Sequence, residues 1–174
     1  QSTKFLQGVP LVERALVESN LFLVQGPPGT GKTTSIVEML HQLYDDNPSL
    51  RILVVSQQNA AVDNALTNFL KKAPAASARV LRIGSRDKMD ESLRDYGTEA
   101  RLDAYYANRI SAYQHAAAAQ ADTAPLLEEW LSAICDDDGR FDSELTELLI
   151  GEYKLAGATC VGLASQRHGL HRLQ

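Results

Sequence analysis

The chain has 174 residues, 44% of them hydrophobic, with 17 Lys and Arg against 22 Asp and Glu for a formal charge of −5. That is the length of one ordinary domain with enough apolar content to bury a core, and the net negative charge argues against broad, non-specific nucleic-acid binding, which relies on positive surface. Cys135 and Cys160 make neither a disulfide framework nor a metal site, no apolar run reaches membrane-spanning length and no signal pattern opens the chain, so a soluble, cytoplasmic protein without a membrane partner is expected.

Val9, Leu11, Val12, Ala15 and Leu16 predict a short amphipathic helix with Pro10 in its first turn. Leu21, Phe22, Leu23 and Val24 then read as a buried strand. Behind it, Gly26-Pro27-Pro28-Gly29-Thr30-Gly31-Lys32-Thr33 fits G-x-x-x-x-G-K-[ST], and Ile36, Met39, Leu40 and Leu43 continue at helical spacing. Strand, glycine loop and helix in that order are the setting of a phosphate-binding loop. Backbone N–H groups must approach phosphate oxygens closely, so side chains are absent at the glycines, and the helix N-terminus adds the positive end of its dipole. Lys32 reaches the β- and γ-phosphates in this reading, Thr33 offers its hydroxyl to Mg²⁺, Thr34 adds a hydroxyl near the α-phosphate, and Pro27 and Pro28 stiffen the approach. The short N-terminal helix is expected to pack beside this nucleotide site.

Asp45-Asp46-Asn47-Pro48 is a turn cluster before a second buried strand at 52–55, and a right-handed crossover makes the two strands parallel. Ser56 to Asn64 is a polar loop entering a helix, with Asn59 as N-cap and Val62, Ala65, Leu66, Phe69 and Leu70 as the apolar stripe. On the residues alone, Asn59 is more often such a cap than a ligand contact. Val80, Leu81 and Ile83 predict a third strand ended by Gly84 and Ser85. Lys71, Lys72, Arg79, Arg82, Arg86 and Lys88 form a basic cluster, usually a solvated face.

From about 86 to 153 the spacing is helical. Thr98 caps a long helix using Leu102, Tyr106, Ile110, Tyr113 and Ala117; a second follows Pro125 with Leu127, Trp130, Leu131 and Ile134 inward; a third carries Leu145, Leu148 and Leu149. This reads as a helical insertion. β character returns at Ala158-Thr159-Cys160-Val161-Gly162, and His168 and His171 fall in a polar tail without ligand spacing.

In order, QGPPGTGKT at 25–33, SQQNAAVDN at 56–64, RVLRIGS at 79–85 and ATCVG at 158–162 resemble the Walker A motif, motif Ia, the following strand and motif Ic of superfamily 1B helicases, the group of the nonsense-mediated-decay helicase. The resemblance covers most of the chain outside 86–153, where that family carries helical stalk elements. It implies an α/β, RecA-like P-loop NTPase fold, a three-layer parallel sheet that is incomplete here, spanning 1–174 with the insertion at about 86–153. It further implies that ATP and Mg²⁺ are held by Gly26 to Thr34, and that Ser56, Gln57, Asn59 and Thr159 touch the backbone of single-stranded DNA or RNA. The family's adenine-reading glutamine has no aligned match, since Gln7 stands one position off and Gly8 takes its place. Ala133-Ile134-Cys135-Asp136 superficially fits a Walker B strand but reads as a helix end at helical period. The expectation is therefore the N-terminal part of a larger helicase whose remainder supplies Walker B and the second RecA-like domain, so that this chain alone binds nucleotide with negligible turnover. Two other readings stand beside it: a fragment of an AAA+ ATPase, and a non-catalytic or split module that binds a partner through its helices.

Overall fold

The structure is a computed structural model, and it describes residues 9–17, 20–47, 49–119, 125–126, 129 and 150–165. Short apolar runs rich in Val, Ile and Ala build three strands among them: β1 (Ile52–Ser56), β2 (Val80–Ile83) and β3 (Leu155–Thr159). They make a parallel sheet in the order β1-β3-β2, with Ile52 opposite Leu155 and Ser56 opposite Thr159 on one side, and Val80 opposite Leu155 on the other. The strand latest in sequence thus occupies the centre. This is the α/β architecture of an incomplete RecA-like P-loop sheet.

Both faces of the central strand are covered, which explains why it is made of Leu155, Ala156, Gly157 and Ala158, all buried. On one face lie α2 (Lys32–Asp46) and α3 (Asn59–Lys72). Leu40 of α2 and Val62, Leu66 and Phe69 of α3 pack with Val80, Leu155, Ala76 and Leu93 into one core. Each of the larger side chains contributes about 1.5–3 kcal/mol by leaving water. Gly157 faces α3 at close range: a Cβ there would lie 2.7 Å from Leu66 Cδ1 and 2.8 Å from Val62 Cγ1. On the opposite face Leu81, Ile83, Ala156 and Ala158 pack with Ile150, Tyr153 and Leu163.

The amphipathic helix appears as α1 (Val9–Val17), with Val12 buried and the helix resting against α2. The long helix α4 spans Thr98–Ala119. Its first turn is anchored by Arg101, which donates to the carbonyls of Ser77 and Val80 and stacks its guanidinium 4.9 Å from the Tyr96 ring centre. The carbonyl of Gly97 accepts the Arg101 N–H at 2.9 Å, so Gly97 opens the helix, while the buried Thr98 hydroxyl has no partner and does not cap it. The side chains of Tyr106, Ile110, Tyr113 and Ala117, the helices expected after Pro125 and around Leu145 to Leu149, the Ala133–Asp136 segment, Gln7 and the tail with His168 and His171 lie outside the described residues.

Three expectations are corrected. Leu21 to Val24 is not a buried strand: it joins no ladder among the described residues, and Leu21 and Leu23 are 73% and 81% exposed. β propensity marks a segment that can pair, and pairing needs a neighbouring strand, which no described segment supplies. Second, β3 begins earlier than expected and stops at Thr159, because Cys160–Ser165 forms a short helix, α5. Third, the basic cluster is not one face. Arg82 is fully buried, Lys71, Lys72 and Arg79 lie toward the end of the sheet where the strands begin, and Arg86 and Lys88 follow the opposite end.

Candidate functional site

Glycine chemistry shapes the loop before α2. Gly29 and Gly31 hold φ values of 78° and 82°, in the left-handed region that penalises a Cβ, and Gly31 passes directly into the helix, its carbonyl accepting the Ser35 N–H at 3.0 Å. Thr30 Oγ1 donates to the Pro27 carbonyl at 2.8 Å and so closes the loop on itself. Lys32 folds its Nζ over the loop, donating to the carbonyls of Gly26 at 2.6 Å and Pro27 at 2.7 Å. Pro28, Thr33 and Thr34 are exposed around it, and no acidic residue stands in the first turn of α2 to offset its positive end. A backbone cradle with an amine above it and an uncompensated helix N-terminus suits a polyphosphate. For Lys32, moving from two carbonyls to phosphate oxygens exchanges neutral acceptors for charged ones, the stronger kind of bond.

The same edge of the sheet carries the other candidates. Lys154, one residue before β3, donates its Nζ to the Tyr44 carbonyl near the end of α2, which places that helix end where the strands begin. With 15 residues, α2 is about 22 Å long, enough to run back past the roughly 17 Å of β1. Its N-terminus, with the phosphate loop, therefore lies toward the carboxyl edge, where α3 also starts. In open parallel sheets this edge is where ligands bind.

Ser56 and Thr159 are brought together there as register partners at the ends of adjacent strands, and both are half-buried. Ser56 Oγ accepts the Gln58 N–H at 3.3 Å, and Thr159 Oγ1 accepts the Gly162 N–H at 3.0 Å, capping α5. Gln57 is exposed in the turn between β1 and α3. Asn59 is half-buried but is not the N-cap: Gln58 holds that position, with no side-chain bond, and Asn59 is the first residue inside the helix. Its Oδ1 instead accepts from Arg82 Nη2 at 2.8 Å.

Arg82 and Asp63 are the residues that local reading missed. Arg82 Nε meets Asp63 Oδ1 at 2.6 Å with both side chains buried, Arg82 Nη1 donates to the Ile83 carbonyl at 2.5 Å, and Asp63 Oδ2 accepts the Asp90 N–H at 2.9 Å. The pair ties the start of α3 to the loop after β2. Asp90 in turn is held below the usual carboxylate range by the hydroxyl and N–H of Ser92. The available signal was a charge inside each apolar pattern, Asp63 in the stripe of α3 and Arg82 within Val-Leu-Arg-Ile. Among the described residues no group of three or more His, Cys, Asp or Glu side chains is placed to hold a metal, and no helix is long and apolar enough to cross a membrane.

Comparison with known proteins agrees with this layout. The model of an AAA domain family, AAA_11, matches residues 9–165. An uncharacterized ATP-dependent helicase of Methanocaldococcus jannaschii is 35% identical over 82 residues, 47% of this chain and 12% of that protein. The DNA-binding protein SMUBP-2 of Mus musculus is 34% identical over 91 residues, 52% of this chain and 9% of the relative. RNA helicase aquarius, also of Mus musculus, is 32% identical over 97 residues, 56% and 6% respectively. The chain thus spans about a tenth of the length of the curated relatives it matches.

Proposed function

The chain belongs to this AAA domain family and corresponds to the N-terminal part of the first RecA-like domain of superfamily 1B helicases, and from that premise we propose that it is the ATP-binding part of a helicase or translocase that moves on single-stranded nucleic acid. The observation that carries the reading is the pairing of Ser56 with Thr159 at the carboxyl edge, the edge toward which the phosphate loop also points. Hydroxyls, amides and helix-start N–H groups grip a phosphodiester backbone without reading sequence, as a motor that steps along a strand requires. Gly26 to Gly31 would cradle the phosphates, Lys32 would neutralise the β- and γ-oxygens, Thr33 would face Mg²⁺ and Thr34 the α-phosphate. ATP with Mg²⁺ supplies the phosphoryl group and balances its charge. Residues of about 86–153 form a helical, stalk-like insertion in this reading, which the span of α4 supports.

Hydrolysis needs more than this cradle. A second set of metal and water contacts and an arginine finger, the latter on the order of 10³–10⁵ in rate, come from the Walker B segment and the second RecA-like domain of the whole protein. The expected result is ATPase activity of the full-length protein stimulated by single strands and abolished by Lys32→Ala, with negligible turnover by the 174-residue chain in a phosphate-release assay. Full-length ATPase activity that ignores single strands, with no affinity for them, would overturn the helicase reading.

A further inference from the structure

Three side chains at the carboxyl edge share one arrangement: each has its acceptor oxygen engaged from inside the protein. Ser56 Oγ receives the Gln58 N–H, Thr159 Oγ1 the Gly162 N–H, and Asn59 Oδ1 the Arg82 guanidinium. What each has left to give is a hydrogen. For the two hydroxyls the O–H can rotate, so the preference is soft. For Asn59 it is fixed, because the two ends of a side-chain amide differ only in being acceptor or double donor, and arginine has no acceptor to offer.

We propose that Arg82 is a positioning residue that locks the Asn59 amide with its N–H₂ end turned to the edge, as a donor to phosphodiester oxygens of single-stranded nucleic acid. The proposal rests on the nucleic-acid reading above and adds the group that sets its polarity. Arg82 cannot drift: it is fully buried, its Nε is held by Asp63 and its Nη1 by the Ile83 carbonyl. Nor does it attract the strand by its own charge, which Asp63 neutralises at 2.6 Å. It acts through Asn59 alone. The setting favours an anion further, since Asn59 opens α3 and no acidic residue stands in the first turn of that helix. A side chain added at Gly84, just past β2, would come within 3.2 Å of Arg82 Nη1, so the turn after the strand is also shaped by this guanidinium.

Asn59→Asp in the full-length protein tests this. The carboxylate keeps an oxygen for Arg82 and nearly the same volume, but presents an acceptor where the donor stood. With a fluorescein-labelled oligothymidylate at fixed low salt, affinity is expected to fall about tenfold or more, while the melting temperature and the affinity for a fluorescent ATP analogue stay at wild-type values. Arg82→Lys, which loses the fork that fixes the amide, is expected to weaken strand binding several-fold in the wild-type background and to add nothing in the Asn59→Asp background. Tight strand binding by the wild type that survives Asn59→Asp unchanged, or an Arg82→Lys loss of equal size in both backgrounds, overturns the positioning role and leaves the nucleic-acid reading standing. Failure of the wild type to bind the strand at all overturns both.

Discussion

Gly157 sits where α3 packs tightly on the sheet, and replacing it with Ala tests whether that closeness is real. The new Cβ would lie 2.7 Å from Leu66 Cδ1 and 2.8 Å from Val62 Cγ1, distances below any normal carbon contact. Leu66 could turn aside only into space it does not have, being fully buried, and Val62 is β-branched and stiff at χ1. Overpacking of this kind costs about 1–3 kcal/mol. Against it stands the gain from removing a glycine from a strand, roughly 0.5–1 kcal/mol. Taken at their mid-values the two leave a net loss of about 1.2 kcal/mol, or roughly 2–5 °C in melting temperature for a domain of this size. Thermal unfolding by circular dichroism reads it. In a Leu66→Ala background one of the two collisions is gone, so the same Gly157→Ala step is expected to cost less there. A melting temperature at or above wild type, or equal steps in the two backgrounds, refutes the close packing of α3 on β3 and with it the placement of the α3 N-terminus.

Asp63→Ala strands a buried guanidinium, and loss of one partner of a buried pair is worth about 3–5 kcal/mol, or about 6–20 °C in melting temperature; a loss under about 1 kcal/mol would show that Arg82 is not buried as described. His41, stacked 4.6 Å from the Phe69 ring, has its pKa lowered from 6.5, first by burial and then by the charge of Lys72. The unfolded chain therefore takes up that proton more readily than the folded one, so stability is lost as pH falls below 6.5, and His41→Gln is expected to flatten the pH dependence of the urea midpoint between about pH 7.5 and 5.5. An unchanged slope refutes the assignment to His41. Amides of Leu21 to Val24 are expected to exchange rapidly with deuterium in the 174-residue chain and slowly in a full-length protein, where we propose that a strand from the remainder pairs with them; equal rates would show that no such pairing forms.

The phosphate loop was legible because its signal is local: spacing of glycines, then Lys32 and Thr33, dictates backbone geometry within a few residues. The strands at 52–56 and 80–83 were legible for the same reason, yet their order was not. That β3 lies between β1 and β2 is a property of pairing across a long stretch of chain, on which local pattern is silent. Arg82 shows the sharper limit. Composition assigns an arginine near Lys71, Lys72, Arg86 and Lys88 to the surface, since such residues are almost never buried unpaired. Its partner is Asp63, on a different element, and only the fold brings them together. Asn59 turned on a single residue: with Gln58 at the cap, its amide was released from the helix end and became available to Arg82.

The unpaired Leu21 to Val24 segment bears on function directly, because the phosphate loop hangs from it. A cradle of backbone N–H groups binds tightly only if its geometry is fixed beforehand; otherwise part of the binding free energy goes into ordering it. On one side the loop is anchored by α2, whose Val37 and Leu40 are buried. On the other it is joined to exposed leucines, and the outward face of β1 is open as well, with Leu53 and Val55 38% and 44% exposed. Apolar strand-forming residues left in water are a standing opportunity to gain about 25 cal/mol per Å² on burial. In the proposed reading, covering them in a longer protein would also stiffen the nucleotide cradle, which would link the completion of the sheet to the affinity for ATP.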